Sequence, residues 1–210
     1  MSSSLNWVRT LWIALVCLAS AGQAAAASSQ SLQPKEALQL AFPKATIERS
    51  SLTLSDKQRA EVEKLAGHKL ASSRVRPYRA MVDGKCVGTA YFDTRKVRTK
   101  AQTLMITVCN EGKVKRIEVL RFDEPREYRA SGKWMAQLTG KSLSGALKVK
   151  GEIRNLTGAT LTARATVDAV REALAVHQVL ERERKKAVEK KATKKASEEK
   201  VAKKSEAPQP

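Results

Sequence analysis

The sequence predicts an α+β fold: an antiparallel sheet flanked by helices, with a charged C-terminal extension. Three observations carry this. From Tyr78 the apolar period is two, over four segments separated by turn residues. On both sides of that block the apolar residues recur at helical spacing. Past Glu181 the pattern dissolves into Lys, Ala and Glu, with too little apolar surface to pack. The expected organisation is a signal segment over 1–27, an N-terminal helical segment over 28–77, a main domain over 78–180 and a Lys/Ala/Glu-rich tail over 181–210.

The elements follow in order. Arg9 supplies a positive start, and Leu11 to Ala19 form an apolar run of about nine residues, the length of a secretory h-region. Ala25-Ala26-Ala27 offers a small-residue cleavage site. The run is short for a membrane span, which needs roughly twenty apolar residues. Val16 before Cys17 is bulkier than a lipid-attachment site tolerates, so the expectation is a cleaved signal and a periplasmic protein. Pro34 starts a short helix through Glu36, Leu38, Leu40 and Ala41, stopped at Phe42-Pro43. Ser55-Asp56-Lys57-Gln58 is a capping box. Val62, Leu65 and Ala66 follow at helical spacing, and Gly67 is a natural stop.

Four strands come next: Tyr78 to Asp83, Cys86 to Asp93, Gln102 to Cys109 and Val114 to Phe122. Asp83-Gly84 and Asn110-Glu111-Gly112 are hairpin turns, and Arg95 to Ala101 is a longer, basic connection. Asp123 to Val149 mixes turns with one short helix around Trp134 to Leu138. Leu147 to Ile153 reads as a further strand. A last helix begins near Thr162 and presents Val167, Val170, Leu174, either Val176 or His177, and Leu180 on its apolar face.

The formal net charge is +19, which by itself invites a nucleic-acid reading. The tail from Glu181 holds 11 Lys/Arg against six Glu, so much of the charge is spread through the domain. Aromatic residues make up only 4%, poor for stacking successive bases. With export expected, no nucleic-acid partner is expected. Anionic lipid, acidic partner domains or a negatively charged cofactor fit better. Cys86 and Cys109 survive cleavage and form no Cys-x-x-Cys pair. If their strands pair about a midpoint between Val97 and Arg98, the two lie opposite each other and can form a disulfide in an oxidising compartment. Two small buried hydrophobes are the alternative. His68 and His177 belong to no ligand pattern, and no metal is expected.

The run Leu156-Thr157-Gly158-Ala159-Thr160-Leu161-Thr162 stands between a strand-like segment and the last helix. Small residues let a backbone approach a bulky group, and a hydroxyl beside them offers a point of attachment. Thr162 alone could be a plain N-cap. Upstream pieces give the run its context: Gly84-Lys85-Cys86-Val87-Gly88 with Tyr91, Asn110 to Val114 with Ile117 to Leu120, Asp123-Glu124-Pro125, and Trp134 with Gln137, Leu138, Gly140 and Lys141. In order and spacing, from Tyr78 to Leu174, they resemble the FMN-binding domain family. Its attachment motif Ser/Thr-Gly-Ala-Thr matches Thr157-Gly158-Ala159-Thr160. The family often has Asp three residues before the motif, where this chain has Arg154, a cation near the expected phosphate.

That resemblance implies covalent FMN, held by a phosphoester to Thr160 and installed by a flavin transferase, since no adjacent base activates the hydroxyl. It implies Thr157, Gly158, Ala159, Leu161 and Thr162 around the phosphate and ribityl chain. It offers Trp134, Tyr128 or Tyr91 against the ring, Glu124 on the ring or closing a turn, and Lys141 on the phosphate. The function implied is electron transfer by an exported, soluble relative, with a membrane or periplasmic redox protein as partner. No general acid, base or substrate pocket is legible, so it reads as an electron-transfer protein more than a stand-alone enzyme. An FMN-bearing subunit of a periplasmic reductase and a non-flavin basic envelope adaptor, its tail on anionic membrane, are the rivals.

Overall fold

The computed structural model describes residues 32–205; the expected signal segment lies outside the described residues. Among the described residues four α-helices occur: α1 (Pro34–Ala41), α2 (Asp56–Ala66), α3 (Gly132–Met135) and α4 (Thr160–Ser205). Seven strands occur: β1 (Thr46–Arg49), β2 (Leu52–Thr53), β3 (Arg74–Val75), β4 (Tyr78–Val82), β5 (Lys85–Lys96), β6 (Ala101–Val108) and β7 (Val114–Phe122). Five form one antiparallel sheet in the order β1-β4-β5-β6-β7, and β2 pairs with β3 apart from it.

The predicted α+β class holds, and the two-residue period explains its layers. Along the central strand β6, Leu104, Ile106 and Val108 point to one face and Met105 to the other. The first face packs on α4 through Val167, Val170 and Leu174, with α2 adding Val62 and Ala66. The second face packs on α1 through Ala37 and Leu38, with Phe42 beside them. Residues of the 28–77 segment therefore contribute to both cores. Gly88 permits the second contact. A Cβ there would stand 3.0 Å from the Phe42 ring and 3.0 Å from the Val108 carbonyl oxygen, closer than side chains pack.

The helix signals act as read. Ser55 accepts from the Gln58 N–H, and Gly67 ends α2 at φ 83°. β1, β2 and β3 were not anticipated. They are two to four residues long and mostly exposed, so no apolar alternation announces them. The predicted strand over Leu147 to Ile153 is a correction. The chain there turns back on itself, with Lys150 at φ 64° and a single Val149–Ile153 bridge. The last helix starts at Thr160, two residues before the expected start, because Ala159 takes the cap position and its carbonyl accepts from Ala163 N–H at 3.1 Å. Both Val176 and His177 are buried. The tail continues α4 as helix to Ser205, with Lys185–Lys190 exposed.

One side chain locks α4 to its surroundings. Arg171 donates Nε to Ala66 O at 2.7 Å and Nη2 to Leu65 O at 3.0 Å. Its Nη1 donates to Ser144 O at 2.6 Å and Leu147 O at 3.0 Å. It thus caps the end of α2 with a cation, where the helix dipole favours one, and pins the 144–147 loop.

Candidate functional site

The Thr-Gly-Ala-Thr run is placed by a buried aromatic. Trp134 lies in the core, and its indole Nε1–H donates to Arg154 O at 2.9 Å. Gln137 Oε1 accepts from Arg154 N–H at 3.0 Å. The backbone just before the motif is therefore clipped on both sides. Gly158 then turns the chain at φ 78°, with open space where a Cβ would stand. This left-handed value favours glycine. Ala159 N–H returns to Leu156 O at 3.0 Å, and α4 begins. Thr160 is half-buried, and its Oγ1 accepts from Asn155 Nδ2–H at 3.0 Å. The N–H groups of Thr160, Leu161 and Thr162 are the first of α4 and have no carbonyl partner in the helix.

These residues line one wall of a cavity of about 280 Å³; Val97, Arg98, Glu124 and Tyr128 line the rest. Arg98 is exposed, and Leu161 is 46% exposed. The cavity thus joins a helix N-terminus, a cation and an apolar lip. Thr157 is exposed and does not line it.

Glu124 shapes the opposite wall. It is buried, and its Oε1 accepts from Thr99 N–H at 2.6 Å, Lys100 N–H at 2.7 Å and Arg98 N–H at 3.1 Å. The carboxylate closes the β5–β6 turn. The N–H groups of Lys100 and Thr99 foremost, with Arg98, hold its carboxyl below the usual glutamate range. A depressed carboxyl stabilises the fold above its unfolded pKa, and this contribution is lost as pH falls through the folded pKa. Glu124→Gln is therefore expected to melt below the wild type near neutral pH, with the gap closing as pH falls from about 6 to about 3. Thermal melts of both proteins across that range check it; a constant gap would refute the titration.

Other predicted residues sit elsewhere. Trp134 positions the motif and is absent from the cavity wall. Lys141 pairs with Glu152 Oε2 at 2.9 Å, away from the cavity. Tyr91 is buried and its hydroxyl meets His177 Nδ1 at 3.1 Å. Burial pushes the Tyr91 pKa up and the His177 pKa down. Val97 and Arg98, named in the sequence only as a turn midpoint, were not expected at the site. They reach the site only through a turn fixed by Glu124, far along the chain.

The disulfide expectation needs correcting. β5 and β6 pair Thr89 with Val108, a register two residues away from the one that sets Cys86 opposite Cys109. The turn centres between Arg98 and Thr99, with Val97 N–H bonded to Lys100 O at 2.9 Å. Both cysteines are free thiols, and Cys86 Sγ contacts Gly88 O at 3.4 Å. Among the described residues no group of three or more His, Cys, Asp or Glu is placed to hold a metal.

Residues 100–175 match the model of the FMN-binding domain family. The match runs from β6 into α4 and contains Glu124, Tyr128, Trp134 and the whole Thr157–Thr160 run; the Gly84–Tyr91 stretch lies before it. No curated protein matches the chain. The match over residues 100–175 supports an FMN-binding domain in this part of the chain and points to a flavin-binding protein.

Proposed function

We propose that this protein carries FMN covalently, through a phosphoester to Thr160 Oγ1, and passes electrons between redox partners outside the cytosol. One observation carries the reading. The Thr160 hydroxyl stands at the first turn of α4, inside the one cavity that also gathers Arg98, Tyr128 and Leu161. The residues suit the cofactor's chemistry. Three unpartnered N–H groups and a guanidinium answer a phosphate. Leu161, Val97 and Tyr128 answer an aromatic ring. Open space at Gly158 leaves room for the chain between them.

The cavity, at about 280 Å³, falls just below the usual ≈ 300–1,000 Å³ of ligand pockets. It can seat part of FMN and leave the rest in contact with solvent or a partner. Bound FMN supplies one- and two-electron redox chemistry. The chain's own work is to orient and expose it. Asn155 Nδ2–H, a donor, is the neighbour of Thr160 Oγ1, and a donor cannot remove the hydroxyl proton. A flavin transferase must supply the base. Export rests on Arg9, the Leu11–Ala19 run and Ala25-Ala26-Ala27. The redox partner is a membrane or periplasmic protein, and the Lys-rich end of α4 is suited to an anionic membrane surface.

The intact mass of protein from its native host tests the reading. The expected value is the processed polypeptide plus one FMN less water, with yellow fluorescence that survives denaturation. Colourless protein at the bare polypeptide mass would overturn it and favour the adaptor.

A further inference from the structure

Beside the cofactor cavity lies a second, larger hollow, of about 540 Å³, along the outer edge of β7. β7 is the last strand of the sheet. Its first residue is covered: Val114 N–H donates to Lys141 O, Gly140 N–H donates to Val114 O, and Lys113 bridges Ser142. From Lys115 onward no described strand pairs with that edge. An unpaired edge offers a row of backbone donors and acceptors to an incoming strand.

The hollow has an apolar floor and a basic rim. Ile117, Val119 and Met135 form the floor; Arg126 and Arg129 stand on the rim, while the Lys115 ammonium turns away over the Phe42 ring. Its one carboxylate, Glu118, is bound to Arg116. Arg126 and Arg129 are exposed and meet no carboxylate among the described residues. The charge therefore repels a second copy of this basic chain and attracts an acidic one. The position also matters. The segment Glu124–Ala130 separates the two hollows, with Glu124 and Tyr128 facing the Thr160 cavity and Arg126 and Arg129 facing the groove.

We propose that an extended acidic segment of a protein partner adds as a strand to the edge of β7 in this groove. Backbone pairing supplies register, apolar residues of the segment meet Ile117, Val119 and Met135, and its carboxylates meet Arg126 and Arg129. Identifying that partner as the protein that exchanges electrons with the flavin rests on the function proposed above; the groove itself does not.

Titration of full-length, flavin-free protein with a synthetic peptide of alternating Glu and Val, followed by amide NMR, tests the proposal separately from flavin attachment. Shifts are expected at residues 115–119 and 126–136, weakening as salt rises. Arg126→Glu with Arg129→Glu is expected to weaken binding about tenfold or more. Two further peptides, N-methylated on alternate amides in opposite phase, read out strand pairing: one loses about tenfold in affinity and the other keeps it. Equal binding by both, shifts confined to Lys185–Lys190 of α4, no binding, or tighter binding of single-stranded DNA in the same groove would each overturn it. An unmodified Thr160 in native protein would remove the electron-transfer role and leave the peptide result standing.

Discussion

Thr160→Ala, expressed in the native host, is expected to emerge colourless and at the mass of the bare polypeptide, with no detectable fraction carrying flavin. The effect is total because, in the proposed attachment, the hydroxyl is the bond-forming atom and the rest of the cavity only orients. Helix-terminal N–H groups and the dipole favour an anion by about 0.3–1 kcal/mol at such exposed sites, far too little to retain a cofactor. The folded state should survive. Thr160 loses one hydrogen bond, to Asn155, worth about 1 kcal/mol, and alanine is the better helix former. Unchanged circular dichroism and a melting temperature within a few degrees of wild type separate loss of attachment from loss of fold. Thr157→Ala is the companion measurement. Its side chain is exposed and outside the cavity, so peptide mapping should still find the flavin on residue 160. Flavin retained by Thr160→Ala, or mapped to residue 157, would defeat the assignment.

Arg171→Leu is expected to give the largest loss of stability, about 3 kcal/mol or more in denaturant titrations. Four carbonyl oxygens, from two separate segments, end on this one guanidinium. Leucine replaces the aliphatic stem but leaves all four carbonyls without their donor. Arg171→Lys should recover only part of the loss, because an ammonium cannot fork in a plane towards two pairs of oxygens. A leucine variant within about 0.5 kcal/mol of wild type would show that water satisfies these carbonyls as well as the arginine does.

Much of the fold was legible because its signals are local. The capping box at Ser55 and the stop at Gly67 bound α2 without help from the rest of the chain. Alternation placed four of the sheet's five strands to within a few residues. Misreadings arose where a distant residue decides a local geometry. The β5–β6 register depends on a four-residue turn held by Glu124, 24 to 26 positions later, so a midpoint taken from the basic connection fell one residue out and the pairing two. The 147–153 segment alternates like a strand, yet Arg171 takes its carbonyl at Leu147, and Lys150 turns the backbone. The motif itself was plain in the sequence, but its surroundings were only half so. Tyr128 was foreseen beside it, whereas Arg98 came from a turn whose position needed the correct register. Trp134 was expected against the ring; its indole N–H is on the Arg154 carbonyl just before the motif.

The helix that begins at Thr160 runs for 46 residues. At 1.5 Å per residue its two ends stand roughly 69 Å apart, more than twice the thickness of a bilayer's hydrocarbon core. Whatever grips the distal turns is thus too remote to touch a group borne at the proximal ones. On the function proposed above, the basic end is a leash that holds the domain within reach of a surface, and docking for exchange takes place at the opposite pole.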